Sequence, residues 1–179
     1  MLTHAEIKKQ MAAGNIKISP FDENALGPNS YDVHLSDTLL VYNGYELDCK
    51  KDNPTQKLTI PDEGLMLHPG RLYLGSTVEY TESNGLVPGI EGKSSLGRLG
   101  LFVHITAGFG DIGFRGHWTL EFMVVHPIRV YKGMPIAQLY YVPPTGEVAD
   151  GTTYDAKKTS KYSNQGSEPA ASKMYMNFK

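Results

Sequence analysis

The segment His117–Val125, HWTLEFMVV, decides the fold and also places one carboxylate. Its even-numbered residues are all large and apolar: Trp118, Leu120, Phe122 and Val124. Side chains alternate between the two faces of a β-strand, so this pattern predicts a strand whose even face packs in a core. The odd face then carries Thr119 and Glu121. Taken alone, Glu121 is most simply interpreted as a solvated carboxylate on an exposed sheet face, since charged side chains are rarely buried without a partner.

Turn signals recur along the chain before and after this strand. Several Gly, Pro and Asn pairs separate short apolar runs: Asn43-Gly44, Pro69-Gly70, Asn84-Gly85 and Pro88-Gly89. Strands separated by turns at a spacing of roughly 8–12 residues are typical of β-sandwiches and barrels. We therefore expect an all-β fold with a few short helices. Asn43-Gly44 in particular predicts a tight hairpin that joins residues 39–42 to residues 45–47.

The N-terminus predicts one short helix. Thr3-His4-Ala5-Glu6 has the form of a capping box, in which the threonine and glutamate side chains satisfy free backbone groups. Ile7 and Met11 lie one turn apart, and Gly14 suits the position just after a helix. We expect this helix to cover about residues 4–13.

Length and composition limit the classes of partner. The chain has 179 residues, the size of one domain, and a formal net charge of −2, so no overall field favours nucleic acid. The single cysteine, Cys49, excludes an internal disulfide and fits a reducing compartment. No apolar run is long enough to span a membrane, and the N-terminus lacks the apolar core of a signal peptide. We expect a cytoplasmic protein that binds neither nucleic acid nor membranes.

A second informative segment, Lys93–Arg98, reads KSSLGR. It combines two cations, two hydroxyls and a flexible glycine. Arginine gives bidentate hydrogen bonds to phosphate, and backbone N–H groups of such a turn can form an anion-binding nest. The segment is not a P-loop, because GxxxxGK[ST] does not occur. By itself, a Gly/Ser turn with an arginine is usually only a turn.

In their order, the motifs of this region resemble the dCTP deaminase family. They are KSSLGRLGL at 93–101, HITAGF at 104–109, D-x-GFRG at 111–116 and WTLE at 118–121. The region is also similar to the trimeric dUTPases of the same wider family. Glu121 separates the two, because it matches a catalytic glutamate that dUTPases lack on this strand. Near the N-terminus, Pro20-Phe21-Asp22 and Asn29–Asp32 match a further family segment, in which we interpret Asp32 as structural.

The resemblance implies an architecture. Residues 1–142 would form a single dUTPase-like domain, a distorted β-barrel related to a jelly roll. The family is homotrimeric, with active sites between subunits.

The resemblance also implies roles for individual side chains. Glu121 would be the general acid/base for addition of water at C4 of cytosine, while Ser94 and Arg98 would orient the water and polarise the base. Asp111 would accept a hydrogen bond from the sugar 3′-hydroxyl, and Arg115 would add positive charge for the phosphates across a subunit interface. The other expected nucleotide-binding residues are Lys93, Ser95, Leu96, Gly97, Thr119, Leu120, Gln138, Tyr154, Lys161 and Gln165. For Gln138, a structural amide is an equally good interpretation.

The expected metal chemistry follows from the same resemblance. Mg²⁺ is expected on the triphosphate oxygens, mostly with water ligands. Zinc is not expected, because zinc deaminases use H-x-E and P-C-x-x-C motifs and this chain has one cysteine. The six histidines are scattered, and we interpret His104 and His117 as ordinary polar side chains of a sheet. A Ser-His-Asp signature is not recognisable either.

From Pro143 the composition changes to a polar tail with few aliphatic residues. Such a composition is typical of disorder. However, Tyr154, Lys161 and Gln165 match a family segment that folds over the triphosphate. We therefore expect residues 143–179 to form a lid that orders on substrate binding.

Members of the family either stop at dUTP or continue to dUMP and pyrophosphate. Gly108-Phe109 resembles the two-step members, whereas one-step members tend to have His-Arg there. Gly110 and Ile112 depart from the family, which usually has Ile and then Pro or Ala, and Gly110 is expected to loosen the turn before Asp111. The sequence favours the bifunctional enzyme. It leaves a deaminase that releases dUTP, a dUTPase and a non-catalytic nucleotide-binding regulator as alternatives.

Overall fold

The computed structural model describes residues 1–178, in which β-strands are the main regular structure. The ten strands are β1 Ile16–Ser19, β2 Tyr31–Tyr42, β3 Thr55–Thr59, β4 Leu65–Leu67, β5 Tyr73–Ser83, β6 Val87–Gly92, β7 Leu101–Val103, β8 Arg115–Val124, β9 Ile128–Val130 and β10 Pro135–Val142. The helices are short: α1 His4–Ala12, the single turn α2 Ser94–Gly97, and the 3-10 turns Glu23–Ala25 and Met174–Phe178. Within residues 1–178, no helix has the length and apolar character needed to cross a membrane. The predicted all-β fold with a few short helices is confirmed.

Eight strands form one antiparallel sheet that nearly closes on itself. Its main path runs β6-β10-β2-β5-β8-β7, with β1 added to β5 and β3 added to β2, while β4 and β9 pair separately. The two end strands approach each other. The N–H of Ile90 in β6 donates to the carbonyl of Gly108 at 2.8 Å, and a Cβ at Gly92 would lie 3.1 Å from Cβ of Val103 in β7. The barrel-like closure implied by the family resemblance is therefore present.

Strand β8 supplies a central part of the core. Its even-numbered residues are at most 6% exposed, as the alternation predicts: Trp118, Leu120, Phe122 and Val124. Each such side chain contributes about 1.5–3 kcal/mol through its burial. In the neighbouring strand β5, Gly75 lies opposite Leu120, and a Cβ there would overlap the Phe122 ring. Position 75 therefore requires glycine, because the Phe122 ring fills the space that a side chain would need.

Only the threonine half of the predicted capping box forms, because the Glu6 side chain accepts from Lys9 and Gln10 instead of the Thr3 backbone. The hydroxyl of Thr3 accepts from the N–H of Glu6 at 3.4 Å, and Ile7 is fully buried. The helix ends at Ala12, one residue earlier than expected, and Gly14 follows with φ +78°.

The predicted tight hairpin at Asn43-Gly44 is wrong. Strand β2 pairs instead with β3, after a loop of residues 43–54 that is closed by a 3.0 Å bond from the N–H of Asn43 to the carbonyl of Pro54. The side chain of Asn53 stabilises this loop, because its amide donates to the carbonyl of Asp48 and its oxygen accepts from the Asp48 N–H. Residues 45–47 are exposed and belong to no strand.

Candidate active site

A cavity of about 430 Å³ opens on the polar face of β8. We call it the carboxylate cavity, after Glu121. Much of its wall is apolar or aromatic: Leu72, Leu74, Ala107, Phe109, Phe114 and Trp118. Its polar groups are Tyr42, His104, Asp111, Thr119, Glu121, Tyr154, Tyr162, Gln165 and Ser172. A mostly apolar concave site with a few convergent polar groups is the usual form of a small-molecule site.

Glu121 is not a solvated surface carboxylate. Its side chain is 29% exposed, and its Oε2 atom lies 3.0 Å from Nδ1 of His104, whose side chain is 5% exposed. Both atoms are buried, and within the described chain neither makes a hydrogen bond of acceptable geometry, even with the other. The carboxylate and the imidazole therefore depend on each other, or on a ligand, for a polar partner.

His104 reaches this position through an unusual backbone conformation. It follows the last residue of β7 with φ +59°, and its N–H donates to the carbonyl of Glu121 at 2.8 Å. A positive φ costs free energy for a residue with a side chain and is concentrated at functional sites. The interpretation of His104 as an ordinary sheet side chain is wrong. Its place in the HITAGF motif was the only sequence signal for a special role.

The tail lies directly on β8 beside the cavity. The side-chain amide of Gln165 donates to Oγ1 of Thr119 at 2.5 Å and to the carbonyl of His117 at 2.8 Å. The N–H of Ala170 donates to the same Thr119 hydroxyl at 2.9 Å. The structure thus brings together two of the predicted binding residues, Thr119 and Gln165, but they bind each other. Leu120, the next predicted residue, has its side chain in the core, so only its backbone faces this site.

The turn that contains Asp111 is covered by Tyr154. The N–H of Tyr154 donates to the carbonyl of Ile112 at 2.7 Å, and its ring lies 6.1 Å from that of Phe114. Burial raises the pKa of the Tyr154 hydroxyl, and the nearby charge of Asp111 raises it further. At Gly113 a Cβ would overlap the side chain of Asp155, so the close approach of the tail requires glycine there.

A second cavity, of about 410 Å³, adjoins the first and shares residues Phe109, Asp111, Tyr154 and Tyr162 with it. We call it the polar cavity. Its remaining lining includes two lysines and four hydroxyl residues: Lys157, Lys161, Thr152, Thr153, Thr159 and Ser160. Asp111 is the one carboxylate that lines it. Ammonium and hydroxyl groups together suit an anion such as phosphate.

The structure does not bring the KSSLGR segment to Glu121 within one chain. Helix α2 is anchored by buried Leu96, while Ser94, Ser95, Gly97 and Arg98 are exposed and line neither cavity. The separation follows from the antiparallel pairing of β7 with β8, which places the end of α2 beside the last residues of β8. The carbonyl of Gly100, just after α2, accepts from the N–H of Val125 at 2.9 Å. Glu121 lies four residues before Val125, which corresponds to about 13 Å along the strand at about 3.3 Å per residue.

Lys93 and Gln138 lie together but also outside both cavities. The ammonium of Lys93 pairs with one oxygen of Asp32, and the amide of Gln138 donates to the other at 3.1 Å. The amide of Gln138 also lies 3.3 Å from Oγ of Ser30. Asp32 therefore has the structural role expected for it, and within one chain Gln138 is a structural amide.

Arg115 is already occupied by acidic groups. It lies 3.1 Å from a carboxylate oxygen of Asp155 and 3.8 Å from one of Glu82, and it donates to Oδ1 of Asn84 at 3.3 Å. Because these carboxylates offset its charge, the expected role of Arg115 toward phosphate is not supported. It ties the tail to the sheet instead.

The turn from Gly108 to Asp111 is firmly held. A Cβ at Gly108 would lie 2.6 Å from the carbonyl of Ile90, and one at Gly110 would lie 2.6 Å from the Trp118 ring. The N–H of Gly110 also donates to the carbonyl of Pro88 at 2.9 Å. The expectation that Gly110 loosens this turn is wrong, since the Trp118 ring fills the space that a side chain would need. Phe109 projects from the turn and lines both cavities.

Comparison with known proteins identifies the family of the chain. Residues 1–143 match the family described as dCTP deaminase-like. The chain is 53% identical over 171 residues to a protein from Leptospira biflexa named "dCTP deaminase, dUMP-forming", a match that covers 95% of this chain and 94% of the relative. A protein of the same name from Cytophaga hutchinsonii is 52% identical over 171 residues, covering 95% of each chain.

Among solved structures, the chain resembles the 2′-deoxycytidine 5′-triphosphate deaminase from Agrobacterium tumefaciens, with a TM-score of 0.62 and 20% identity. The match covers 78% of this chain and 46% of that chain, so this chain spans less than half of the other. At this identity the likeness concerns the fold alone.

Proposed function

The chain belongs to the dCTP deaminase-like family, and we propose that it converts dCTP to dUMP in two steps. In the first, water replaces the C4 amine of cytosine, giving dUTP and ammonia. In the second, water cleaves dUTP to dUMP and pyrophosphate. The observation that carries the proposal is the pair of Glu121 and His104, whose facing atoms are buried, in an apolar-walled cavity beside one that is lined by two lysines.

Glu121 is the general acid/base of the first step. Water is a weak nucleophile, so the carboxylate takes its proton as the oxygen bonds to C4. The protonated glutamic acid then gives this proton to the departing amine as the C4–N bond breaks. The His104 imidazole, 3.0 Å from Oε2, orients the carboxyl group between the two proton transfers. The apolar wall formed by Leu74, Phe114 and Trp118 keeps other water away from this exchange.

Ser94 and Arg98 complete the site from a second copy of the chain. Both are exposed on α2, close to the apolar side chains of Leu99 and Phe102, which are 59% and 49% exposed. Phe102 pairs across the sheet with Met123, and Val125 extends the same exposed apolar surface. Contiguous exposed apolar side chains mark protein–protein contacts. A homotrimer that buries this surface would place Ser94 and Arg98 of one subunit against Glu121 of the next.

The nucleotide spans the two cavities. The pyrimidine occupies the carboxylate cavity, and the triphosphate extends into the polar cavity toward Lys157 and Lys161. Asp111, which lines both cavities, accepts a hydrogen bond from the sugar 3′-hydroxyl. Residues 143–179 act as the lid that closes over the phosphates, starting from the contacts of Tyr154 and Gln165 described above.

The side chains around the polar cavity fit a magnesium ion that arrives with the nucleotide. Within residues 1–178, no three His, Cys, Asp or Glu side chains are grouped closely enough to hold a metal ion themselves. The ion would take its ligands from triphosphate oxygens and water. Asp111 is the one carboxylate that lines the polar cavity. When bound, the ion neutralises phosphate charge. The single exposed cysteine, Cys49, is in keeping with a reducing cytoplasm.

Two observations favour the dUMP-forming reaction over one that stops at dUTP. Relatives about half identical to this chain carry that name. The turn of Gly108 and Phe109 borders both cavities and is held by backbone bonds to Ile90 and Pro88. A fixed turn between base and phosphates can position a hydrolytic water.

A product assay tests this proposal. The purified chain is incubated with dCTP and Mg²⁺, and nucleotides are separated by ion-exchange chromatography. Direct appearance of dUMP with pyrophosphate is the expected result. Accumulation of dUTP would replace the two-step proposal by a deaminase that releases dUTP, and binding without turnover would favour a regulator.

A further inference from the structure

Lys173, near the end of the tail, contacts two residues that line the polar cavity. Its ammonium donates to the carbonyl of Lys161 at 2.7 Å and lies 5.3 Å from the centroid of the Tyr162 ring. Its backbone N–H donates to the hydroxyl of Tyr162 at 2.9 Å. One residue thus joins the last part of the tail to the segment that forms the cavity wall.

These contacts continue to the base of the cavity. The N–H of Tyr162 donates to the hydroxyl of Tyr154 at 3.0 Å, and the N–H of Tyr154 donates to the carbonyl of Ile112 at 2.7 Å. Lys173 therefore lies at the outer end of a series of hydrogen bonds that runs through Tyr162 and Tyr154 to Ile112, beside Asp111. Each step is a hydrogen bond with ordinary geometry.

Lys173 itself lines neither the carboxylate cavity nor the polar cavity. Its influence on a bound nucleotide must pass through Lys161 and Tyr162. A charged donor to a carbonyl is stronger than a neutral one, and a cation over an aromatic ring adds to it. A side chain with both interactions fixes the path of the backbone that it contacts.

We propose that Lys173 is a positioning residue for the phosphate end of the nucleotide. It holds Lys161 and Tyr162 in the wall of the polar cavity, where they can meet the triphosphate. This inference rests on the proposed function, because it takes the polar cavity to be the triphosphate site.

Three variants test the proposal. Lys173→Met keeps the aliphatic stem on the Tyr162 ring but removes the charge and the donor. Lys173→Arg keeps both. Lys158→Met is the matched control, since Lys158 is an exposed lysine of the same tail that lines neither cavity. Thermal unfolding of each variant is recorded first, to show that all three remain folded.

Two readouts separate positioning from a general structural effect. Steady-state kinetics with dCTP should give Lys173→Met a KM raised about tenfold with kcat within about twofold, because binding is weakened while the reacting groups are untouched. Lys173→Arg and Lys158→Met should stay within about threefold of wild type. Fluorescence of Trp118, the one tryptophan, reports binding in the carboxylate cavity. Lys173→Met should weaken binding of dCTP but not of dCMP, which lacks the outer phosphates.

The outcomes are distinct. An active wild type with unchanged KM in Lys173→Met, or with the same change in Lys158→Met, would overturn the positioning role alone. Equal weakening of dCTP and dCMP would also overturn it, because that pattern signals loss of the whole site. A wild type that neither binds nor converts dCTP would overturn the proposed function and this inference together.

Discussion

Oε2 of Glu121 lies 3.0 Å from Nδ1 of His104, and both atoms are buried. A buried carboxylate oxygen without a partner is costly, so the close imidazole favours one position of the Glu121 side chain. The same pair faces a cavity with a largely apolar wall. The arrangement fits a carboxyl group that must be held still while it accepts and returns a proton.

Replacing the histidine tests this relationship. Asn tolerates the positive φ of position 104, so His104→Asn should fold, with a loss of about 1–3 kcal/mol from the weakened contact to Glu121. We expect kcat for dCTP to fall about 10- to 100-fold with KM nearly unchanged. The control is His117→Asn. His117 lies on the same face of β8 as Glu121, but its ring contacts the carbonyl of Thr77 rather than Glu121. Equal kcat in wild type and His104→Asn would contradict the orienting role.

The turn before Asp111 yields a prediction about stability. Gly110→Ala would place a Cβ 2.6 Å from the Trp118 ring and 2.8 Å from the Pro88 carbonyl. Overpacking of this kind costs about 1–3 kcal/mol, measurable as a lower urea midpoint at constant slope. Gly166→Ala is the control, because nothing lies within 4 Å of its Cβ and its φ is ordinary. If both variants were equally stable, the account of why this chain has glycine at position 110 would be wrong.

The Arg115–Asp155 pair predicts a pH-dependent attachment of the tail. A hydrogen bond from Thr153, and then the charge of Arg115, hold the pKa of Asp155 below its ordinary value. Since the pKa is depressed in the folded protein, the contribution is present above about pH 4 and disappears as pH falls through the lower, folded value. Amide exchange in residues 150–165 should therefore be faster in Asp155→Asn than in wild type at pH 6.

At a pH well below the folded pKa of Asp155 the two exchange rates should converge, because the wild-type carboxylate is then protonated as well. The exposed carboxylate of Asp150 provides the control: Asp150→Asn should exchange like wild type at both pH values. A difference between wild type and Asp155→Asn that persists unchanged at low pH would show that the ion pair is not its cause.

The separation of Arg98 from Glu121 predicts complementation between inactive variants. In the proposed homotrimer, the Glu121→Gln and Arg98→Ala variants should each be nearly inactive. After random exchange of subunits, about one quarter of sites would combine an intact Glu121 with an intact Arg98 from the neighbour. Recovery of about a quarter of the wild-type dCTP activity is therefore expected. No recovery, with subunit exchange verified by mass spectrometry, would argue against a shared site.

Local sequence patterns predicted the parts of the molecule that depend on local chemistry. The alternation in β8 predicts the buried face of that strand, and Thr3 as the N-cap residue predicts the start of α1. Both follow from spacing along a single element. Neither feature depends on which residues pack against the strand or the helix, only on the presence of a core.

The features that escaped prediction depend on distant parts of the chain. His104 meets Glu121 only because the backbone turns into a left-handed conformation after β7. Gly110 is explained by the Trp118 ring, eight residues further on. Strand β2 pairs with β3 across a longer loop in which the Asn53 side chain bonds to Asp48. The position of Arg98 away from Glu121 is a property of the folded sheet, which motif order along the sequence does not reveal.

The most direct test of the account is a product and binding measurement on Glu121→Gln. The amide cannot accept the proton of water, so we expect formation of both dUTP and dUMP from dCTP to fall by about 10²- to 10⁴-fold. Binding of dCTP, followed by the fluorescence of Trp118, should remain within about threefold of wild type, because the amide has nearly the same shape. Deamination at the wild-type rate in Glu121→Gln would contradict the central claim that this carboxylate performs the proton transfers.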